Sequence, residues 1–167
     1  MTRFALTAFI TLTACGTHLT STIVQVEGRA VEVVEAGDGG TTVVFEAGLG
    51  SDWTAWDAIA SEVASRTKVF AYSRPGYGHS EASNGPRDPA HIVEDLRTLL
   101  AARGLTPPYV LVGHSFGGTY MELFAKLHPE EIAGLVLVDS RHPDFTASCE
   151  AAGIKGCVIP PSMWASP

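Results

Sequence analysis

A single tight turn, within the stretch VLVGHSFGGTY at residues 110–120, constrains the fold of this chain more than any other feature. Gly113, Ser115 and Gly117 spell G-x-S-x-G directly after an apolar run and directly before a stretch with helical character. A strand that turns so sharply into a helix holds the middle serine in a strained conformation, with its hydroxyl above the sheet edge. The helix N-terminus supplies free backbone N–H groups suited to an oxyanion. Ser115 is therefore the candidate nucleophile; the alternative is a glycine-rich turn that carries a serine by chance.

Strand and helix patterns alternate on both sides of this turn. Strands are predicted at residues 22–26, 29–34, 41–45, 67–72, 109–112 and 134–139, and helices at about 53–65, 89–103 and 119–126. The first two strands form a hairpin pattern, and the later ones are continuously apolar. This order predicts an α/β fold with a mostly parallel sheet and helices on both faces. Active sites on such sheets lie at the carboxyl ends of the strands, where the turn with Ser115 falls.

Composition sets limits on size and partners. The chain has 167 residues, 46% of them apolar and 17% charged, which suits one domain with a sizeable core. The formal net charge is −7 and there is no basic cluster, so nucleic acid is not expected as a partner.

The N-terminus has the features of an export signal. Residues 1–14 contain one arginine followed by an uncharged, apolar but threonine-rich stretch that is too short to span a bilayer. The sequence Leu12-Thr13-Ala14-Cys15 resembles the lipobox of bacterial lipoproteins. That resemblance implies cleavage before Cys15, lipid attachment to Cys15, and an exported protein anchored to a bacterial membrane, facing the periplasm or the cell exterior. The alternatives are an ordinary cleaved signal, or a buried segment with an incidental cysteine. Residues 15–21 would form a linker.

Two further cysteines lie in the C-terminal segment, residues 145–167, which is predicted to be an irregular tail or the start of a cap. In an oxidising compartment Cys149 and Cys157 could form a disulfide. The alternative is two reduced thiols. No histidine pattern of the zinc-finger type accompanies them, so no metal site is expected.

Three motifs together resemble the α/β-hydrolase fold superfamily, in the right order and over Thr22 to Asp144. They are GHSFGG after YVLV, FEAGLGS at residues 45–51, and SRPGYGHS at residues 73–80. The resemblance implies a serine hydrolase that acts on small-molecule esters or related acyl compounds through an acyl-serine at Ser115. The backbone N–H groups of Phe116 and Leu49 would form the oxyanion hole. No metal or organic cofactor is implied. One departure is Ala47 before Gly48, where many members have histidine.

The catalytic base is harder to assign, because the superfamily places its histidine after the acid and no histidine follows His142. Asp139 could be the acid, although the simpler reading, an aspartate that ends the strand, is favoured. His142 follows the last strand and could approach the site. The other histidines fall in the linker, in turns or on helix surfaces: His18, His79, His91, His114 and His128.

The C-terminal strands of the superfamily are thus expected to be missing from this chain. Two alternatives to hydrolysis stay open on the sequence. One is a catalytically inactive lipoprotein that uses the fold as a binding module. The other is an acyltransferase or a cofactor-free haloperoxidase-like enzyme.

Overall fold

The computed structural model describes residues 18–142 and 144–153. The strands are β1 Thr22–Val26, β2 Arg29–Ala36, β3 Thr42–Glu46, β4 Val69–Tyr72, β5 Tyr109–His114 and β6 Ile132–Val138. The α-helices are α1 Asp57–Ala64, α2 Pro89–Ala102, α3 Phe116–Leu127 and α4 Phe145–Ala151, with short 3-10 turns at Trp53–Trp56 and Pro129–Glu131. The predicted lipid-attachment residue Cys15, the side chain of Cys149, and Cys157 lie outside the described part.

The six strands form one mixed sheet in the order β1-β2-β4-β3-β5-β6. β1 and β2 form the predicted hairpin, and β2 also pairs antiparallel with β4. β4, β3, β5 and β6 are mutually parallel. The prediction of an α/β fold with a mostly parallel sheet is therefore confirmed. Because these four strands are parallel, their carboxyl ends lie at the same end of the sheet.

Helices cover both faces of the sheet. Successive residues of a strand point to opposite sides, so neighbouring strand residues pack against different helices. On one face α2 and α3 bury Leu96 and Phe124 among residues that include Val44. On the other face the neighbouring Phe45 packs with Trp56, whose ring centroid is 5.2 Å away. The middle strands are thus buried on both sides, as their continuous apolar runs predict.

The helix predicted at residues 53–65 differs from the structure in one respect. Its first turn is a 3-10 turn capped by Asp52, and the α-helix begins only at Asp57. The buried residues of this segment are Trp53, Trp56 and Ala60, whereas Ile59 is 52% exposed.

Strand β6 forms one edge of the described sheet, paired with β5. Its large apolar residues are partly exposed: Leu135, Val136, Leu137 and Val138. Helix α3 packs against β6, and within the described residues β5 is the strand that pairs with it. Across residues 18–142 and 144–153, none of the helices is long and apolar enough to cross a membrane.

Candidate active site

The turn that joins β5 to α3 has the conformation predicted for it. Ser115 has φ 53° and ψ −121°, in a region that residues with a side chain rarely adopt. Its carbonyl oxygen accepts hydrogen bonds from the N–H groups of Gly118 (3.1 Å) and Thr119 (3.4 Å), so the backbone leads directly into the helix. The Ser115 side chain makes no capping hydrogen bond with α3. The hydroxyl is therefore not engaged in capping the start of α3.

The glycines of the G-x-S-x-G pattern allow three backbone segments to meet. A Cβ atom at Gly113 would lie 2.6 Å from the carbonyl oxygen of Gly117. A Cβ atom at Gly117 would collide with the Glu46 carbonyl oxygen and lie 2.6 Å from that of Ala47. The first turn of α3 thus rests on the end of β3, which only residues without side chains permit.

The loop after β3 lies directly beside Ser115. A Cβ atom at Gly48 would lie 3.4 Å from Cβ of Ser115 and 3.1 Å from Nδ1 of His114. Leu49 follows in this loop, and Phe116 is the first residue of α3. Both backbone N–H groups predicted for the oxyanion hole therefore belong to segments that adjoin Ser115.

A buried arginine fixes this loop, and sequence reasoning missed its role. Arg74, in the turn after β4, is ion-paired with Glu46 and donates to the carbonyl oxygens of Ala47 (2.5 Å) and Gly48 (2.6 Å). The Tyr72 hydroxyl donates to the same Glu46 carboxylate at 2.5 Å. Both members of the ion pair are almost fully buried. The available signal was one arginine and one glutamate in two adjacent motifs.

Burial and ion pairing act in opposite directions on these two groups. Burial raises the pKa of Glu46, while the Arg74 guanidinium and the Tyr72 hydroxyl stabilise its carboxylate form. Burial alone would lower the pKa of Arg74, but the Glu46 carboxylate raises it above its ordinary value. The guanidinium therefore stays charged, and its donors remain directed at the loop.

A second buried carboxylate holds the rest of the turn after β4. Glu32 accepts hydrogen bonds from the hydroxyls of Ser21 and Ser73, each at 2.8 Å, and from the backbone N–H of His79 at 2.9 Å. Burial would raise the pKa of Glu32, but these donors and the His79 ring together lower it to about 2. Glu32 is thus ionised and ties the hairpin to residues 73–80.

The candidate acid and base lie on the segment that follows β6. The Ser115 N–H donates to the carbonyl oxygen of Val138, and the Arg141 N–H donates to that of Ser115, both at 3.1 Å. Asp139 sits between these contacts, exposed, with φ 45°. The structure therefore brings the segment that carries Asp139 next to Ser115.

The side chain of His142 points toward solvent. It is 74% exposed, and its Nδ1 atom accepts a hydrogen bond from the Asp144 N–H at 3.1 Å. Within the described residues no hydrogen bond joins the Ser115 hydroxyl to a histidine ring. The roles of Asp139 and His142 remain predictions.

Two features near Ser115 depend on tertiary packing alone. The Arg141 guanidinium lies 4.5 Å from the ring centroid of Phe116 and 4.2 Å from that of Phe145, which links α4 to the first turn of α3. A narrow cleft opens beside Leu49. It is lined by Leu49, Arg74, Tyr77, Arg87, Ile92 and Tyr120.

One group of side chains has the spacing of a metal site but is engaged otherwise. Ligand atoms of His128, Glu130 and Glu131 lie within 4.8 Å of one another. The His128 ring is hydrogen-bonded to Glu94 at 2.8 Å, and Glu131 is paired with Arg97. These residues precede β6 and lie at the amino-terminal ends of the parallel strands, whereas Ser115 follows the carboxyl end of β5. The arrangement is that of a surface ion-pair network.

A strained serine turn on a mostly parallel sheet, with a glycine loop beside it, is typical of the α/β-hydrolase fold. The family model described as the alpha/beta hydrolase fold matches residues 41–153, and the chain belongs to this family.

Among curated proteins, the chain is 31% identical over 135 residues to the uncharacterized protein YbdG of Bacillus subtilis (strain 168), covering 80% of this chain and 42% of YbdG. It is 30% identical over 137 residues to epoxide hydrolase 4 of Mus musculus, covering 77% of this chain and 36% of that enzyme.

The solved structures include a similar one, a membrane phospholipase A described as a bacterial virulence factor. It superposes with a TM-score of 0.70 at 27% identity, over 81% of this chain and 46% of that one. The chain therefore spans less than half the length of these relatives.

Proposed function

We propose that this chain carries the nucleophile and oxyanion hole of a serine hydrolase that acts on carboxylic esters or related acyl compounds. The observation that supports this most strongly is the conformation of Ser115, which has φ 53° at the start of α3. Such strain is typical of residues that a fold holds in place for chemistry. Membership in the alpha/beta hydrolase fold family supports the same reading.

The proposed reaction follows from the groups around Ser115. The hydroxyl oxygen attacks the acyl carbon as a base takes its proton, and the N–H groups of Phe116 and Leu49 stabilise the tetrahedral oxyanion. Collapse expels the alcohol with that proton and leaves an acyl-serine, which water then hydrolyses. The proposed contacts for an apolar portion of the substrate are the side chains of Ile92 and Tyr120 beside Leu49.

The proposal assigns Asp139 as the acid and His142 as the base within this chain. Both lie on the segment that hydrogen-bonds to the backbone of Ser115. His142 would have to leave the Asp144 N–H and turn toward the serine. Its exposed side chain leaves room for that movement.

A non-catalytic binding function is the second candidate. It is favoured by the exposed position of His142, which leaves the Ser115 hydroxyl without a histidine partner in the part of the chain that the structure describes. In this case the turn and the cleft would bind a small molecule without turning it over.

Labelling with a fluorophosphonate probe separates the two functions, since such probes react with an activated serine. We expect the 167-residue chain to be labelled, Ser115→Ala to lose all labelling, and His142→Ala to lose most of it. Circular dichroism verifies that each variant is folded. A folded chain that is not labelled would contradict the hydrolase proposal and support the binding function.

We further propose that Cys15 is the lipid anchor of an exported protein and that Cys149 and Cys157 form a disulfide. The lipobox-like sequence before Cys15 and the short spacing of the other two cysteines support these assignments. The intact mass of protein purified from bacterial membranes tests both. An unlipidated protein that retains residues 1–14 would refute the anchor, and two alkylatable thiols in unreduced protein would refute the disulfide.

A further inference from the structure

One peptide group of the loop beside Ser115 links Arg74 to the Leu49 N–H that is proposed for the oxyanion hole. The carbonyl oxygen of Gly48 accepts a hydrogen bond from Nη2 of Arg74 at 2.6 Å and one from the Ser51 N–H at 3.3 Å. That carbonyl and the N–H of Leu49 belong to the same peptide group. Because a trans peptide is planar, its C=O and N–H bonds point in opposite directions. Holding the Gly48 carbonyl toward Arg74 therefore directs the Leu49 N–H away from Arg74.

Arg74 is itself held firmly enough to act in this way. Its side chain is 4% exposed, it is paired with Glu46, and its guanidinium lies 5.0 Å from the ring centroid of Tyr77 and 5.6 Å from that of Tyr120. The planar guanidinium donates at once to one carboxylate and two carbonyl oxygens. A lysine ammonium lacks this fork of donors.

The sequence around the loop shows why such a device is needed. Ala47 has no polar side chain with which to fix the loop. Gly48 and Gly50 have no side chains to restrict the backbone, and Gly50 has φ 77°. The Arg74 guanidinium joins the segment after β4 to two consecutive carbonyls of this glycine loop.

We propose that Arg74, anchored by Glu46, is a positioning residue that sets the direction of the Leu49 N–H and so assembles the oxyanion hole. The inference rests on the proposed function for its catalytic consequence, but its structural content can be measured independently. Arg74 acts through the peptide group and does not touch the substrate.

The test compares two conservative variants by nuclear magnetic resonance. Arg74→Lys keeps a positive charge beside Glu46 but loses the fork of donors. Arg97→Lys is the matched control. Arg97 also pairs with a glutamate, Glu131, through two nitrogen atoms, Nε at 3.2 Å and Nη2 at 2.5 Å. This pair lies near the amino-terminal end of β6, away from Ser115. We expect the backbone order parameters of Leu49 and Gly50 to fall from about 0.85 toward 0.6 in Arg74→Lys alone.

A second variant covers the case in which Arg74→Lys does not fold because buried acceptors are left without donors. The double variant Glu46→Leu with Arg74→Met removes both charges, and such apolar replacements of buried pairs are often tolerated. It too should lose order at Leu49. Order parameters unchanged at Leu49 in folded Arg74 variants would overturn the inference.

The catalytic consequence is read from the rate of fluorophosphonate labelling. We expect Arg74→Lys to react about 10-fold more slowly or worse, because losing one oxyanion donor typically costs about 10²-fold, and Arg97→Lys to react normally. Equal rates in the two variants would refute the catalytic part of the inference. If the unmodified chain is not labelled, the proposed function fails, and the order parameters still decide whether Arg74 positions the loop.

Discussion

A methyl group added at Gly117 should push the first turn of α3 away from the end of β3 and the loop that follows it. In Gly117→Ala the new carbon would collide with the Glu46 carbonyl oxygen and lie 2.6 Å from that of Ala47, whereas such contacts are ordinarily at about 3.3 Å or more. Both obstacles are backbone atoms, so no side-chain rotation relieves the overlap. Glu46 is also held by its pairing with Gly113 in the neighbouring strand. The helix must therefore move away from β3.

Two opposing contributions set the size of the effect. Overpacking typically costs about 1–3 kcal/mol, and the greater helix propensity of alanine returns up to about 1 kcal/mol in a helix interior. Gly117 lies in the first turn of α3, where that gain is smaller. We expect a net loss of about 2 kcal/mol in the free energy of unfolding, or roughly 4–8 °C in Tm.

Urea and thermal unfolding of Gly117→Ala and of Gly40→Ala provide the measurement. A Cβ atom at Gly40 would meet nothing within 4 Å, so this control should stay within about 0.5 kcal/mol of the unmodified chain. If Gly117→Ala proved as stable as Gly40→Ala, the argument that the turn requires a glycine against β3 would be wrong.

Two more predictions concern backbone strain and pH. Because Ser115 has φ 53°, Ser115→Gly should be more stable to urea than Ser115→Ala by about 1 kcal/mol, and equal stabilities would show that the turn is not strained. The pKa of Glu32 is lowered from 4.5 to about 2, so its stabilisation is fully present above pH 4.5 and is lost as the pH falls toward 2. Glu32→Gln should therefore be less stable than the unmodified chain at pH 6 by up to about 3 kcal/mol, with the difference shrinking toward pH 2. A constant difference between pH 6 and pH 2 would contradict the assigned pKa.

Local backbone requirements explain why the turn at Ser115 was predictable. Close approaches of backbone segments exclude side chains at Gly113 and Gly117. Glycines at this spacing around a serine therefore indicate the turn from the sequence alone. The strands were predictable for a related reason, because burial on both faces requires continuous apolar runs.

Long-range pairing explains what could not be predicted. Glu46 and Arg74 are 28 residues apart, and each alone suggests an exposed charge at the end of a strand. Their burial depends on β4 lying beside β3, which the sheet order provides. The same applies to Glu32, whose partners Ser73 and His79 come from a segment more than 40 residues away.

The sequence by itself determined the α/β class, the mostly parallel sheet and the strained serine turn, since each rests on periodicity or on steric limits within a few residues. Only the tertiary structure decided that two buried carboxylates hold the turn after β4. It also decided that Arg74 grips the loop beside Ser115 and that His142 points toward solvent. These contacts join segments distant in the chain, and their energies depend on burial, which a pattern of neighbouring residues does not specify.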